Sequence, residues 1–435
     1  MNKIVIINHV FTSEYVRKRW LLFAKEHKDI DLTLIAPKDW QYGGVGAMTT
    51  GGKELFYCPK IDDNNYHVLP VSYSIDRTGS WLSTEMLCEI EKIKPQLVYH
   101  IGTHLQSSLF PVLKLSKILP NTKFVTFSMR GPNWDVFYNW EKHPIKSMLK
   151  FFYHFNHLRC LNSNSDAIIC HYPDAIKSFK KEGYKGPIYM CTQVGVDTDV
   201  YKPNDDFRTE IREKYGLGDS FVFGSATRFT ADKGLDDIID ALPKDKDWKY
   251  LMIGGGLKSD ENRLLQHLKA RGIKDKVVMT GHINQQEMCK YWNAMDCALH
   301  TPRTADWVET FSVALVQAMA TGLPVIGSDS GSVPYQLGPD ALIVKERDTI
   351  ALKDKMLWVL NNQDEAKKIG FKMKWRAEHC FSTHHLNDCI YDIFMDIING
   401  TFDPNKVDQA QYKAAWSGSR HFAVEVADKS ECLPH

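Results

Sequence analysis

Residues Trp307 to Gly331 read WVETFSVALVQAMATGLPVIGSDSG, and this stretch decides the fold class. An acid, Glu309, precedes a turn. Phe311 to Thr321 then reads as a helix whose apolar positions Val313, Leu315, Val316 and Met319 cluster on one side. Gly322 is placed to cap its end, and LPVIG (323–327) follows as a short apolar strand. A helix feeding a strand buried on both faces is the building unit of an α/β protein. The helix start also carries chemistry. Its first backbone N–H groups have no intrahelical partners and attract anions. A carboxylate beside them can bind hydroxyls. Together they point to a sugar joined to a phosphate.

The same alternation extends outward in both directions. In the first half, strands are expected at KIVIIN (3–8), DLTLIA (31–36), YHVLPV (66–71), QLVYHI (96–101), KFVTF (123–127) and DAIICH (166–171). In the second half they are FVFGSA (221–226), KYLMIG (249–254), KVVMTG (276–281), CALH (297–300), LPVIG and ALIV (341–344). Apolar runs separated by helices indicate parallel sheets with right-handed crossovers. Val196 to Gly218 is polar and carries Pro203, Asn204, Asp205 and Asp206, so the inter-domain linker is expected there. The expected layout is a domain over 1–200 binding the acceptor and a domain over 201–380 binding the donor. A helix over 381–400 crosses back to the first domain, and 401–435 form a tail. Two such open α/β domains leave a cleft at the carboxyl ends of their strands.

At 435 residues the chain is too long for one small core. Its 54 basic and 53 acidic residues nearly cancel, which argues against nucleic acid as a partner. The ten cysteines include no C-x-x-C pair, so neither a zinc module nor a disulfide framework is indicated. A reducing, cytoplasmic setting is expected. MNKIVIINHVF lacks the long apolar core of a signal peptide and reads as a buried first strand. No apolar run approaches the roughly 20 residues needed to span a bilayer. HPIKSMLKFFYHFNHLR (143–159) interleaves Lys146 and Lys150 with Phe151, Phe152 and Phe155. It reads as an amphipathic helix packed on its own domain, with a peripheral contact to the inner face of an anionic membrane as the alternative.

Several groups carry candidate chemistry. Arg228 and Lys233 lie in RFTADKG directly after strand FVFGSA, so both cations can converge on one diphosphate. Glu309 and Gln317 are eight positions apart. Backbone N–H groups of Phe311, Ser312, Val313 and Ala314 would face a phosphate, Glu309 would take sugar hydroxyls, and Gln317 a ribose diol. Gly254, opening a Gly-Gly-Gly run, permits close backbone approach, and the His282-Ile283 turn is placed to flank a nucleobase. In the first half, Gln41 to Gly46 is glycine-rich. His9, Phe11 and Thr12 end strand one, and Ser128 and Arg130 follow KFVTF as acceptor or phosphate contacts. No D-x-D triplet argues for a metal, and no G-x-G-x-x-G follows KIVIIN. A nicotinamide-dependent oxidoreductase is therefore disfavoured.

These residues resemble glycosyltransferase family 4, the retaining nucleotide-sugar glycosyltransferases with the GT-B fold of two Rossmann-like doubly wound domains. The resemblance covers roughly residues 1–400. It rests on QVGVDTDVYKP (193–203), TRFTADKG (227–234), VVMTGHI (277–283) and TADWVETFSVALVQAMATGLPVIGSDSGSVP (304–334), in order. The resemblance implies that Arg228 and Lys233 neutralise the donor diphosphate. Glu309 would be the first acid of the family's E-x7-E motif. Gln317 stands where the family usually has a second Glu, Ser312 where it often has Gly, Ser128 about where many members have His, and Tyr335 in place of a frequent acid. It further implies a nucleotide sugar as co-substrate with no cofactor and no metal. The acceptor would be a glycan, lipid-linked or protein hydroxyl, in polysaccharide or glycoconjugate biosynthesis. A sugar-nucleotide epimerase of related fold and a non-catalytic sugar-nucleotide-binding protein are the competing readings.

Overall fold

The computed structural model describes residues 1–40, 55–76, 80–102, 108–128, 144–170, 173–304 and 308–402. Among the described residues the chain divides into two compact units: Met1–Cys191 with residues 387–402, and Thr192–Leu386.

The first unit is built on an eight-stranded sheet. Its strands are β1 (Asn2–Ile7), β2 (Ile30–Pro37), β3 (Ile61–Asp63), β4 (Tyr66–Val71), β5 (Leu97–Ile101), β6 (Lys123–Ser128), β7 (Ala167–Cys170) and β8 (Ile188–Met190). They lie in the order β8-β7-β6-β5-β1-β2-β4-β3. All pairings are parallel except β3 against β4. The central strands are mainly apolar because helices cover both faces; Ile4 to Ile7 are fully buried. Part of that cover comes from the last helix, Thr383–Asn399, whose Phe394 packs edge-on against Phe23 and Tyr99. Arg19 Nε donates to Asn387 Oδ1 at 3.1 Å, and Asn387 Nδ2 to Glu26 at 2.9 Å, which fixes that helix on Glu14–Glu26.

The second unit holds a six-stranded sheet. Its strands are β9 (Val222–Ala226), β10 (Lys249–Ile253), β11 (Val277–Gly281), β12 (Cys297–His300), β13 (Val325–Ser328) and β14 (Leu342–Val344). The order is β11-β10-β9-β12-β13-β14, all parallel. The chain runs outward from β9 to β11, then returns to β12 beside β9 and runs out the other way. That reversal makes a switch point between β9 and β12, where open α/β sheets bind ligands at their carboxyl ends. Trp248 anchors one layer of the core, fully buried, its indole N–H donating to Pro243 O at 2.6 Å.

One expectation is corrected. Much of the polar stretch 196–218 is structured within the second unit rather than a linker. Val196 bridges to Ser382, and Asp205–Lys214 is a helix capped by the Asn204 side chain. Arg208 and Arg212 of that helix converge on Asp296 at 2.6 and 2.7 Å. Asp296 also accepts the Val222 N–H at 2.7 Å, so polar composition here serves ion pairing rather than a free connection. The glycine-rich segment Gln41 to Gly46 lies outside the described residues. The helix expected over 143–159 spans Pro144–Asn164, and Phe155 is exposed. The side chains of Lys146, Lys150, Phe151 and Phe152, on which the membrane-surface reading turns, are also outside the described set. Among the described residues no helix is long and apolar enough to cross a membrane.

Candidate active site

The loop after β9 is shaped by close backbone contacts. Gly254 has φ +128°, and a Cβ there would lie 1.9 Å from the Thr227 carbonyl. Only glycine lets that carbonyl approach, so Gly254 acts by placing the residue before Arg228. Phe229 N–H donates to Gly255 O at 2.9 Å, and its ring is buried. A tight turn over Ala231–Lys233 follows. Gly234, at φ +66°, ends it; a Cβ there would sit 1.9 Å from Thr301 O. This contact draws the loop after β12 against the loop after β9.

The two loops bring together Lys233 and Glu309, which the sequence places in two separate groups. Lys233 Nζ lies 2.7 Å from Glu309 Oε2 and 3.5 Å from Asp232 Oδ2, with its side chain 9% exposed. Burial pushes the Asp232 carboxyl up, but Thr230 and the charges of Lys233 and Arg228 more than offset this and hold it below the usual carboxylate range. Arg228 therefore acts on the same small region. Arg303 braces the loop: its guanidinium grips Asp237 at 2.7 and 2.5 Å, and its N–H donates to Asp232 O at 2.7 Å. Thr304 donates to Glu346 through both its N–H and its hydroxyl.

Glu309 is held from behind. Ser332 N–H donates to its carbonyl at 2.8 Å, and Gly331 packs on the same carbonyl. The helix that follows spans Val313–Ala320, shorter than the expected 311–321. Ser312 is its N-cap, with Oγ accepting from Leu315 N–H at 3.3 Å. Gln336 then clamps the cap. Its Oε1 accepts the Ser312 N–H at 2.8 Å and its Nε2 donates to Ser312 O at 3.0 Å. The expected phosphate contact through the Ser312 N–H is thus corrected, because that donor is already used inside the protein. Val313 and Ala314, the first two helical residues, keep the N–H groups that a helix start leaves open. The Phe311 ring packs edge-on against Phe381, 5.7 Å away.

Gln317 lies inside the core. Leu315 to Ala320 are buried without a break, so the helix has no wet face there. Gln317 is 2% exposed, and its Oε1 accepts from the Trp292 indole N–H at 3.3 Å. His282 is exposed, whereas Ile283 packs partly into the core.

In the first unit, His9 and Thr12 lie in a turn over His9–Thr12, capped by Asn8. Thr12 is buried and its hydroxyl donates to His9 O at 3.1 Å, so it serves the turn. The His9 ring lies 5.0 Å from the Trp40 ring, and burial pushes it down to about 4. Ser128 is fully buried at the end of β6. Arg130 lies outside the described residues, as does Trp307. Sequence reading passed over His100, near the end of β5. It is 1% exposed, its Nε2 lies 3.0 Å from Ser108 Oγ, and burial pushes it down to about 4. It also passed over His300, the last residue of β12. In both cases the signal was a lone polar residue closing an apolar strand. Among the described residues no group of three or more His, Cys, Asp or Glu is placed to hold a metal.

A model of the family described as "Glycosyl transferases group 1" matches residues 207–374. The GDP-mannose-dependent alpha-(1-6)-phosphatidylinositol monomannoside mannosyltransferase of Mycobacterium tuberculosis is 31% identical over 185 residues, 40% of this chain and 48% of that protein. The N-acetyl-alpha-D-glucosaminyl L-malate synthase of Bacillus anthracis is 25% identical over 47% of this chain and 54% of that one. The chain thus spans about half the length of the curated relatives it matches. Among solved structures, sucrose-phosphate synthase from Thermosynechococcus elongatus superposes with TM-score 0.68 at 14% identity, covering 92% of this chain and 100% of that one. Anabaena HepE in complex with UDP gives 0.67 at 16%, covering 91% and 100%. This likeness fixes the fold as GT-B, with a doubly wound, mainly parallel sheet in each unit.

Proposed function

We propose that this chain is a retaining glycosyltransferase. It moves a sugar from a UDP- or GDP-sugar to a hydroxyl of a glycan, lipid-linked or protein acceptor. The observation that carries the reading is the 2.7 Å pair of Lys233 and Glu309 at the switch point of the sheet, inside the segment that matches the family model. Two nearly buried charges hold each other as a pair, since an unpaired buried charge is costly. A donor diphosphate offers Lys233 a stronger partner and frees Glu309 to accept from sugar hydroxyls. Arg228 and the open N–H groups of Val313 and Ala314 add to the field on the departing diphosphate.

In this reading the bond from the anomeric carbon to the diphosphate oxygen breaks as the bond to the acceptor oxygen forms on the same face. The acceptor proton passes to a diphosphate oxygen, so no protein base is needed, and the charge on the leaving group is met by Lys233 and Arg228 without a metal. Positioning supplies much of the rate. The relatives in Mycobacterium tuberculosis and Bacillus anthracis are a mannosyl- and a glucosaminyl-named enzyme, which supports a hexosyl donor without choosing its base.

The test is a panel of UDP- and GDP-sugars read as protection against thermal unfolding, followed by slow donor hydrolysis. A donor that protects the wild-type chain but not Lys233→Ala supports the reading. Interconversion of the donor without any acceptor would favour an epimerase instead.

A further inference from the structure

His300 closes β12, the strand that borders the switch point. Cys297, Ala298 and Leu299 before it are buried and apolar, so the strand ends in one polar ring. Its Nε2 is buried with no hydrogen-bond partner among the described residues. A buried polar atom left unpaired costs about 1–3 kcal/mol. A ligand that supplies the missing partner recovers that. The next residue, Thr301, packs its carbonyl on Gly234 beside Lys233, and the charges of both Glu309 and Lys233 reach the ring. Burial, with Lys233 adding to it and Glu309 opposing, pushes the imidazole down to about 4. At neutral pH it therefore carries one N–H and one lone pair. Diphosphate oxygens only accept, whereas a hydroxyl both donates and accepts. A neutral imidazole matches the hydroxyls of a sugar better than a diphosphate.

We propose that His300 contacts the transferred sugar, hydrogen-bonding a hydroxyl beside the one taken by Glu309. The inference rests on the donor reading of Lys233 and Glu309. It gives this chain a hydroxyl-reading group outside the two positions of the E-x7-E pattern. It also predicts discrimination among hexoses that differ at that hydroxyl.

The experiment is calorimetric titration of the full chain with UDP-glucose, UDP-N-acetylglucosamine and GDP-mannose, and with free UDP and GDP. His300→Leu removes the polar atoms, His300→Phe removes them with the ring volume kept, and His300→Asn keeps a donor and an acceptor. Lys233→Ala is the reference. The expected result is a nucleotide sugar bound about tenfold more weakly by H300L and H300F, with the free diphosphate changed by less than twofold. H300N should recover most of the loss, and K233A should weaken both ligands. Equal losses for the sugar nucleotide and the free diphosphate would put the contact on phosphate and overturn the proposal. Unchanged affinity in H300L and H300F with K233A impaired would remove His300 and leave the donor reading standing. No binding of any panel member by the wild-type chain would end both.

Discussion

Gly331 touches Glu309: a Cβ at Gly331 would lie 2.1 Å from the Glu309 carbonyl oxygen. The glycine has φ +51°, a region that other residues enter at a cost of about 1–3 kcal/mol. Its neighbour Ser332 holds the same carbonyl at 2.8 Å. Gly331→Ala must therefore displace the backbone that presents the Glu309 carboxylate. We expect a lower melting temperature together with at least a tenfold fall in kcat/KM. Near-normal kcat/KM in a soluble G331A would show that Glu309 does not depend on this contact.

The Lys233–Glu309 pair predicts a particular pattern in a double-mutant cycle. Lys233→Ala leaves Glu309, 13% exposed, without its 2.7 Å partner, and Glu309→Ala leaves Lys233, 9% exposed, with only Asp232 at 3.5 Å. Each single variant should lose stability, and the double variant should lose less than the sum of the two. Each single variant should also lower turnover at least tenfold at saturating donor. Additive stability losses would mean that the pair contributes nothing as a pair. Wild-type-like turnover in both would remove them from the site.

Much of this region is legible in sequence, and its limits have physical causes. The twelve expected strands all occur, because a strand covered on both faces must be apolar along its length. Ile188–Met190 was missed since three residues are too short a run to stand out, and Ile61–Asp63 since an exposed antiparallel edge needs no apolar pattern. That Lys233 and Glu309 meet follows from the loops after β9 and β12, two strands that are neighbours in the sheet although far apart in sequence. The clamp of Gln336 on Ser312 was not legible, because 24 positions separate the two and no local pattern links them. The burial of Gln317 was not legible, because one polar side chain in a short helix gives no sign that neighbours bury every face.

That clamp gives a stability prediction. Gln336 is fully buried, and its one amide makes two bonds to Ser312 while its Oε1 also accepts from the Ser332 hydroxyl at 3.1 Å. Gln336→Leu orphans the Ser312 N–H, at about 1–3 kcal/mol for a group left buried and unpaired, and leaves the Ser312 carbonyl only the 3.4 Å bond from the Val316 N–H. A fall in thermal midpoint of several degrees is expected. Because the freed Ser312 N–H then faces the helix start, affinity for free UDP or GDP should hold or rise while stability falls. A stable Q336L with weakened diphosphate binding would contradict this.

The depressed histidines predict how stability follows pH. His9, His100 and His300 are each pushed from 6.5 down to about 4, chiefly by burial. Above pH 6.5 the rings are neutral in both states, and their contribution to stability is fully present. As pH falls toward 4 the unfolded chain takes up protons that the folded chain refuses, so stability is lost through that window. Each such ring adds up to about 1.4 kcal/mol per pH unit to the slope. Denaturant unfolding at pH 7.5, 6.0 and 5.0 should show a steady decline. His100→Asn, which cannot titrate, should flatten it by about one proton's worth while lowering stability at pH 7.5 through its changed bond to Ser108. A slope identical to wild type in H100N would mean that His100 takes up its proton in the folded state.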